Sequence, residues 1–247
     1  MKKLPAGMLA LTVVLATAPH ASAQVTDREI PVGKTTTLRL NVSGSIHVMP
    51  VAGLTSIKLH VIDSGPSAPP MSVTSTRTGT RTNISITGPS ESMLPFVGAS
   101  GYELQLSYPA SMHLDLREFA GRVHVERVTE PMQIYDADGN VVVDDAASPL
   151  TADADAGDIS VTNAHASLTL TVGKGNVNAA LAPNWRGSLI RLEASDGNLH
   201  LGVAAGFRAH YDLTSGSGSV TNPLHGTAKG PLVFMLAEQG NVSISTL

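Results

Sequence analysis

Gly121-Arg-Val-His-Val125, Gly139-Asn-Val-Val-Val143, Gly157-Asp-Ile-Ser-Val161 and Gly175-Asn-Val-Asn-Ala179 follow one another at intervals of 18 residues. The pattern is glycine, polar, aliphatic, any residue, aliphatic. It returns as Gly197-Asn-Leu-His-Leu201, Gly218-Ser-Val-Thr-Asn222 and Gly240-Asn-Val-Ser-Ile244, now at intervals of 22, 21 and 22 residues. An earlier copy, Gly44-Ser-Ile-His-Val48, stands apart. Self-similarity at a fixed period marks a repeat architecture, so it is read before anything else.

The phase around each of the seven regular glycines is more telling than the pentapeptide. The positions two and four after, and five and seven before, hold apolar residues in 27 of 28 cases, although the whole chain is only 42% hydrophobic. The one exception is Asn222. The positions six before are mostly polar, as at Gln133, Thr151, Thr169 and Arg191. Alternation with period two on both sides of a fixed turn predicts two half-buried strands per repeat. No segment has a convincing amphipathic helical pattern. The fold class is therefore all-β.

Two architectures satisfy strand, glycine turn, strand, variable turn. One is an antiparallel meander or barrel, for which Asp-Gly and Gly-Asn are good hairpin signals. The other is a β-solenoid of 18–22-residue coils. Eighteen residues at ~3.3 Å each give a contour of about 60 Å, enough for one flattened coil. The solenoid explains why the glycine corner keeps its chemistry, since Asn140, Asp158, Asn176, Asn198 and Asn241 each follow a glycine. Stacking brings like corners together about 4.8 Å apart, where asparagines can form a hydrogen-bonded ladder.

The phrase YELQLSYPASMHLDLREFAGRVHV, Tyr102 to Val125, resembles the entry segment of the bacterial putative-adhesin family of unknown function. The later LAPNWRGSLIRLEASDGNLHLGVAAGFRAHYDLTSGSGSV is similar to that family's glycine-cornered coils. The resemblance runs from about Leu38 to Leu247 and is strongest from Tyr102 on. It implies an exported β-solenoid with an adhesin-like label and no catalytic residues to carry over. The chain departs from the family pattern before the glycine, where only Gly218 keeps the usual serine, Ser217.

Residues 1–23 read as a signal peptide. Lys2 and Lys3 precede an apolar run near Leu9–Ala18, and Ala21-Ser22-Ala23 is a cleavage site before Gln24. The run is too short for a membrane span, and no later segment is long and apolar enough to be a transmembrane helix. The expected location is periplasmic or extracellular. Residues 24–101 are irregular, with strand-like alternation at Thr35–Val42, Ser56–Ile62 and Thr74–Thr87 and loops at Ser64–Pro70 and Gly88–Ser100. They are expected to form atypical first coils or a cap, or a separate small β-domain. Residues 102–247 form the regular solenoid.

A net charge of −4 argues against nucleic acid and anionic membranes as principal partners. The absence of Cys excludes disulfides, thiolate catalysis and cysteine metal sites. No G-x-S-x-G, H-E-x-x-H, P-loop or dinucleotide motif is present, so no enzyme activity is expected. The function expected is non-catalytic: adhesin-like binding, or a scaffold role, at the cell envelope. The alternative is a carbohydrate-active β-helical enzyme using acidic residues.

Three groups are candidates for chemistry. Asp136, Asp138, Asp155 and Asp158 fall at the glycine corner of two adjacent coils, where Ca²⁺ would screen their repulsion; the plainer reading is a solvated acidic surface, and no other cofactor is implied. His47, His124 and His200 share the outward slot three after the glycine. The coils of Gly139, Gly157 and Gly175 separate His124 from His200, so these histidines are expected at the surface and not in one metal site. Trp185-Arg186 and Phe207-Arg208 recur 22 residues apart in the variable corner, where the lengthened spacing also brings His225 and Lys229. An envelope protein or an anionic glycan is the expected partner of that patch, unless the two rings serve only to plug the core. Oligomeric state is not legible.

Overall fold

The computed structural model describes residues 24–42, 44–63, 72–87, 102–118 and 121–247; the leader 1–23 and the loops expected at Ser64–Pro70 and Gly88–Ser100 lie outside the described residues. The described chain is strand, turn and bend throughout, without a helix. In chain order the strands are β1 (Gln24–Pro31), β2 (Thr37–Val42), β3 (Ser45–Val51), β4 (Ser56–Asp63), β5 (Ser72–Thr78), β6 (Arg81–Thr87) and β7 (Tyr102–Pro109). They continue as β8 (His113–Glu118), β9 (Gly121–Val128), β10 (Met132–Ala146), β11 (Leu150–Ala156), β12 (Ile159–Ala164), β13 (Leu168–Lys174) and β14 (Val177–Leu181). The last are β15 (Leu189–Asp196), β16 (Leu199–Val203), β17 (His210–Ser215), β18 (Val220–Thr221), β19 (Leu232–Gln239) and β20 (Val242–Thr246).

Parallel pairing at the repeat interval separates a solenoid from a meander. Met132 lies beside Leu150, Leu150 beside Leu168 and Leu168 beside Ile190 in one sheet. Val141 lies beside Ile159, Ile159 beside Val177 and Val177 beside Leu199 in the other. Each coil gives one strand to each sheet. In the coil of Gly139 a single strand, β10, turns the glycine corner and serves both sheets. The aliphatic slots point between the sheets, and Leu170, Val177, Leu192 and Leu199 are fully buried. Their columns form one continuous core.

The glycine corner exists because successive corners nearly touch. At Gly175 φ is +140°, and a Cβ would collide with the carbonyl of Gly157 in the coil below. An L-residue would meet both the steric clash and the unfavourable backbone angle. The asparagine ladder forms on the adjoining position. Asn140 Oδ1 accepts the amide of Asp158 at 2.8 Å, and Asp158 Oδ1 accepts that of Asn176 at 2.7 Å. Asn176 then serves Asn198, Asn198 serves Asn241, and Asn241 serves Ser219, each at 3.0 Å. The opposite corner opens on left-handed residues at a strict interval of 18, Arg127, Asp145 and Asn163, with φ of 56°, 65° and 52°.

The order of that ladder reveals a departure from simple stacking. Asn198 bonds Asn241, not Ser219, because β19 and β20 insert between the Gly197 coil and the Gly218 coil. β19 pairs with β15 on one side and β17 on the other. β20 likewise lies between β16 and β18. The sixth regular coil in sequence is thus the outermost in space. This explains Asn222, the one polar residue in an apolar slot: it sits in the terminal coil, where no further layer covers it.

The other end is exchanged in the same way. The coil of β2 and β3, with Gly44 at its corner, lies between β6–β7 and β8–β9. Beyond it the sheets continue with antiparallel strands, β4 and β1 on one sheet and β5 on the other. Residues 24–42, 44–63 and 72–87 therefore extend the same two sheets as the regular repeats. β1 and β5 are added as antiparallel edges instead of completing a coil.

Candidate functional site

Trp185 and Phe207 come together at the variable corner. Each closes the same small turn in successive coils: Trp185 donates its amide to Ala182 O at 3.0 Å, and Phe207 to Ala204 O at 3.1 Å. Their rings meet edge to face, 5.7 Å between centroids and 70° between planes. The indole N–H donates to Ala166 O at 2.7 Å, which anchors the ring to the preceding coil. Gly187 lies under the ring, with no room for a Cβ beside it. Both rings are half-buried and pack on the core, so each covers the core edge while keeping part of its surface in solvent.

The cations at this corner, Arg186, Arg208 and Lys229, have no carboxylate partner among the described residues. Arg186 and Arg208 are exposed, with the adjacent turns fixed by Arg186 N–H to His165 O and Thr227 N–H to Ala209 O, both at 2.9 Å. Lys229 and His225 are exposed on the connection between β18 and β19. None of these four pairs with a described carboxylate. An aromatic ledge with free cations beside it offers stacking and charge-assisted hydrogen bonding to a planar or sugar-bearing anion.

The acidic quartet does not converge. Asp136 occupies the core-facing slot three before its glycine and is fully buried, so it is not part of a solvated corner. It lies in register with Glu118, also fully buried, and hydrogen-bonds it. Burial, then the hydrogen bond and the negative charge of Glu118, push the Asp136 carboxyl up to about 7. Below about pH 7 the Asp136 carboxyl therefore keeps its proton. Glu118 also accepts the amide of Gly44 at 3.0 Å. Asp138 is exposed and gives its amide to Asp136 Oδ1. Asp155 accepts the Tyr135 hydroxyl at 2.9 Å, and Asp158 is engaged in the corner ladder. Among the described residues no group of three or more His, Asp or Glu is placed to hold a metal ion.

The histidines are on the surface as expected, but coil exchange gives them a relation invisible in sequence. The Gly44 coil abuts the Gly121 coil, so His47 and His124 stack with centroids 4.7 Å apart and planes within 4°. His47 Nε2 is 3.0 Å from Glu126, and His124 Nε2 is 2.9 Å from Asp144. His60 and His165 likewise pair with Asp27 and Asp145, at 2.6 and 3.2 Å. The hydrogen bond from His124, joined by one from Thr162, holds the Asp144 carboxyl below its ordinary value. His200 lies apart and bonds Ser243 and Ser245.

These features define a class: an elongated parallel β-solenoid with glycine corners, an asparagine ladder and exchanged terminal coils. Its family follows from the sequence pattern of those coils. The chain belongs to the Toastrack DUF4097 family, whose pattern matches residues 74–241, more than half of its length. Its fold is similar to that of an adhesin-named protein from Bacteroides fragilis NCTC 9343, with a TM-score of 0.57 and 14% identity over 92% of this chain and 99% of that one. A cell-adhesion-named protein from Clostridium sporogenes ATCC 15579 covers 92% of this chain and 100% of its own, at 9% identity and a TM-score of 0.41. A lipid-binding-named protein from Parabacteroides distasonis ATCC 8503 covers 90% and 96%, at 14% identity and a TM-score of 0.41. No curated protein matches the chain. Among the described residues no helix is long and apolar enough to cross a membrane.

Proposed function

We propose that this chain is a non-catalytic binding module of the cell envelope, and that its variable corner takes an anionic glycan. The observation that carries the reading is the anchored Trp185–Phe207 pair with Arg186, Arg208 and Lys229 exposed on the same corner and free of carboxylates. A sugar ring stacks on the exposed part of an aromatic face, while carboxylate or phosphate substituents reach the guanidinium groups. Family membership and the adhesin name of the Bacteroides fragilis neighbour support a binding role. Export, expected from the leader, would bring the corner to where such glycans occur. The chain's overall negative charge restricts attraction of anions to this local basic patch.

Carboxylate catalysis is the weaker reading on this geometry. The carboxyl raised to about 7, Asp136, is sealed in the core with Glu118, where no glycosidic bond can approach. The binding reading is tested with Arg186→Ala/Arg208→Ala against immobilised anionic envelope polysaccharide. Binding should weaken at least about tenfold while the melting temperature holds, since two charge-assisted contacts are lost from an exposed site. Unchanged affinity in the double variant would move the site away from this corner.

A further inference from the structure

We propose that the C-terminal end of the solenoid is a homodimer interface, where a second copy of this chain stacks across a two-fold axis and completes both sheets.

The two ends of the stack are built differently. At the N-terminal end the outer strand of one sheet, β1, carries Asp27, Arg28, Glu29 and Pro31. The outer strand of the other, β5, carries Arg77, whose guanidinium bonds the carbonyls of Pro31 and Val32. Charges, proline and a tie across the end are devices that prevent an edge from pairing. The C-terminal edge is far less protected. β17 and β18 contain no Lys, Arg or Pro, and Asp212 is their one acidic residue.

Their inward side chains are also incompletely covered. Val220 is 46% exposed, and Tyr211 and Leu213 are half-buried. The equivalent Val233, Met235 and Val242, one coil deeper, are fully buried. The connection after β18 folds Leu224 against the core and sets Gly226 beside Tyr211, covering part of the end. Backbone groups remain open as well. His210 and Gly216 give their amides to Pro231 and Ala237, so strand alternation turns those of Tyr211 and Leu213 outward. Val242 donates to Ser219 O, which by the same alternation turns Val220 outward.

A two-fold axis normal to the sheets satisfies both edges together. Leu213, five before Gly218, and Val220, two after it, face each other across the coil. An axis through both sets each residue against its own copy in an antiparallel pair. Asp212 then lies opposite Thr214 of the other copy, and His210 opposite Gly216, so no like charges lie directly opposite each other. A half-coil about 30 Å long and two sheets with their side chains about 20 Å deep give roughly 600 Å² per copy, which totals at the lower bound of specific interfaces. An isologous contact of this kind closes at two copies and leaves the N-terminal end free.

Sedimentation equilibrium of the purified chain over a concentration series should give a monomer–dimer equilibrium. Val220→Lys should weaken the dimer roughly a hundredfold by placing two like charges on the axis, while Thr76→Lys on β5 should leave it unchanged. The absence of native Cys allows a second test that is independent of that variant's folding. Directly hydrogen-bonded antiparallel partners have Cα atoms about 5.5 Å apart, within disulfide reach. Val220→Cys should therefore oxidise to a covalent dimer with an unchanged far-UV spectrum, and Thr76→Cys should not. A monomer at every concentration, growth into open-ended assemblies, or a dimer lost in Thr76→Lys but retained in Val220→Lys would each overturn the proposal.

Discussion

Leu170 and Thr169 are neighbours in β13 with opposite fates. Leu170 is fully buried between the sheets, and Thr169 is half-exposed on the outer face. Leu170→Ala should cost about 2–5 kcal/mol in a denaturant titration, and Thr169→Ala much less; equal losses would refute the phase of the repeat. Gly175→Val should destabilise the chain far more than Val at the exposed neighbour Lys174, because only the glycine abuts the carbonyl below. Asp136 makes a pH prediction. Its carboxyl is held at about 7, above an ordinary unfolded value near 4, so the folded state binds the proton more tightly than the unfolded state. Stability from this group is complete below about pH 4 and declines as pH rises toward 7. Asp136→Asn keeps a donor toward Glu118 without the titration. Thermal melts of this variant should lose most of the decline between pH 4 and 7 and exceed the parent at pH 8. A parallel pH dependence in both proteins would exclude the buried pair as its source.

At the scale of the element, the corner ladder joins coils that the core also joins. Asn198 gives its amide and its Nδ2 to Asn176, and its Oδ1 accepts the amide and Nδ2 of Asn241. Removing the side chain orphans the two Asn241 donors and takes one of two hydrogen bonds from Asn176 Oδ1, although solvent replaces part of the loss at an exposed corner. Asn198→Ala should therefore cost about 1–2 kcal/mol. Asn178→Ala, on the outer face of β14 and outside the ladder, should be close to neutral. Urea midpoints of the two variants make the comparison, and equal midpoints would mean that the ladder adds nothing to the core.

At the scale of the whole molecule, exchange of the terminal coils makes the last segment an internal layer. β19 and β20 are gripped on both sides. A truncation after residue 231 therefore removes the penultimate layer and leaves β17 and β18 without a neighbour. Two coils should be lost, not one. The far-UV strand signal and the denaturant m-value should fall by about the share of two coils, because m follows the surface exposed on unfolding. A fall matching one coil would show that β17 and β18 can pair directly with β15 and β16.

The amino-acid sequence by itself determined the strands, the inward slots, the glycine corners and the asparagine ladder. All of these follow from local alternation and from chemistry repeated at a fixed interval, such as Asn176 and Asn198 each following a glycine. Family kinship was legible for the same reason. Coil order was not, since parallel edges of similar pattern accept one another in more than one sequence, and the energy that selects among them is long-range. Asn222 was the single trace: a polar residue in a core slot, explained once its coil proved to be terminal. Only the tertiary structure stacked His47 on His124 across 77 residues of chain. It also turned Asp136 inward against Glu118, because two residues 18 apart share a core column only after the coils close. The Trp185–Phe207 pair lay between these cases. Repetition brought the residues to one corner, and the fold decided that their rings meet edge to face and remain part-exposed.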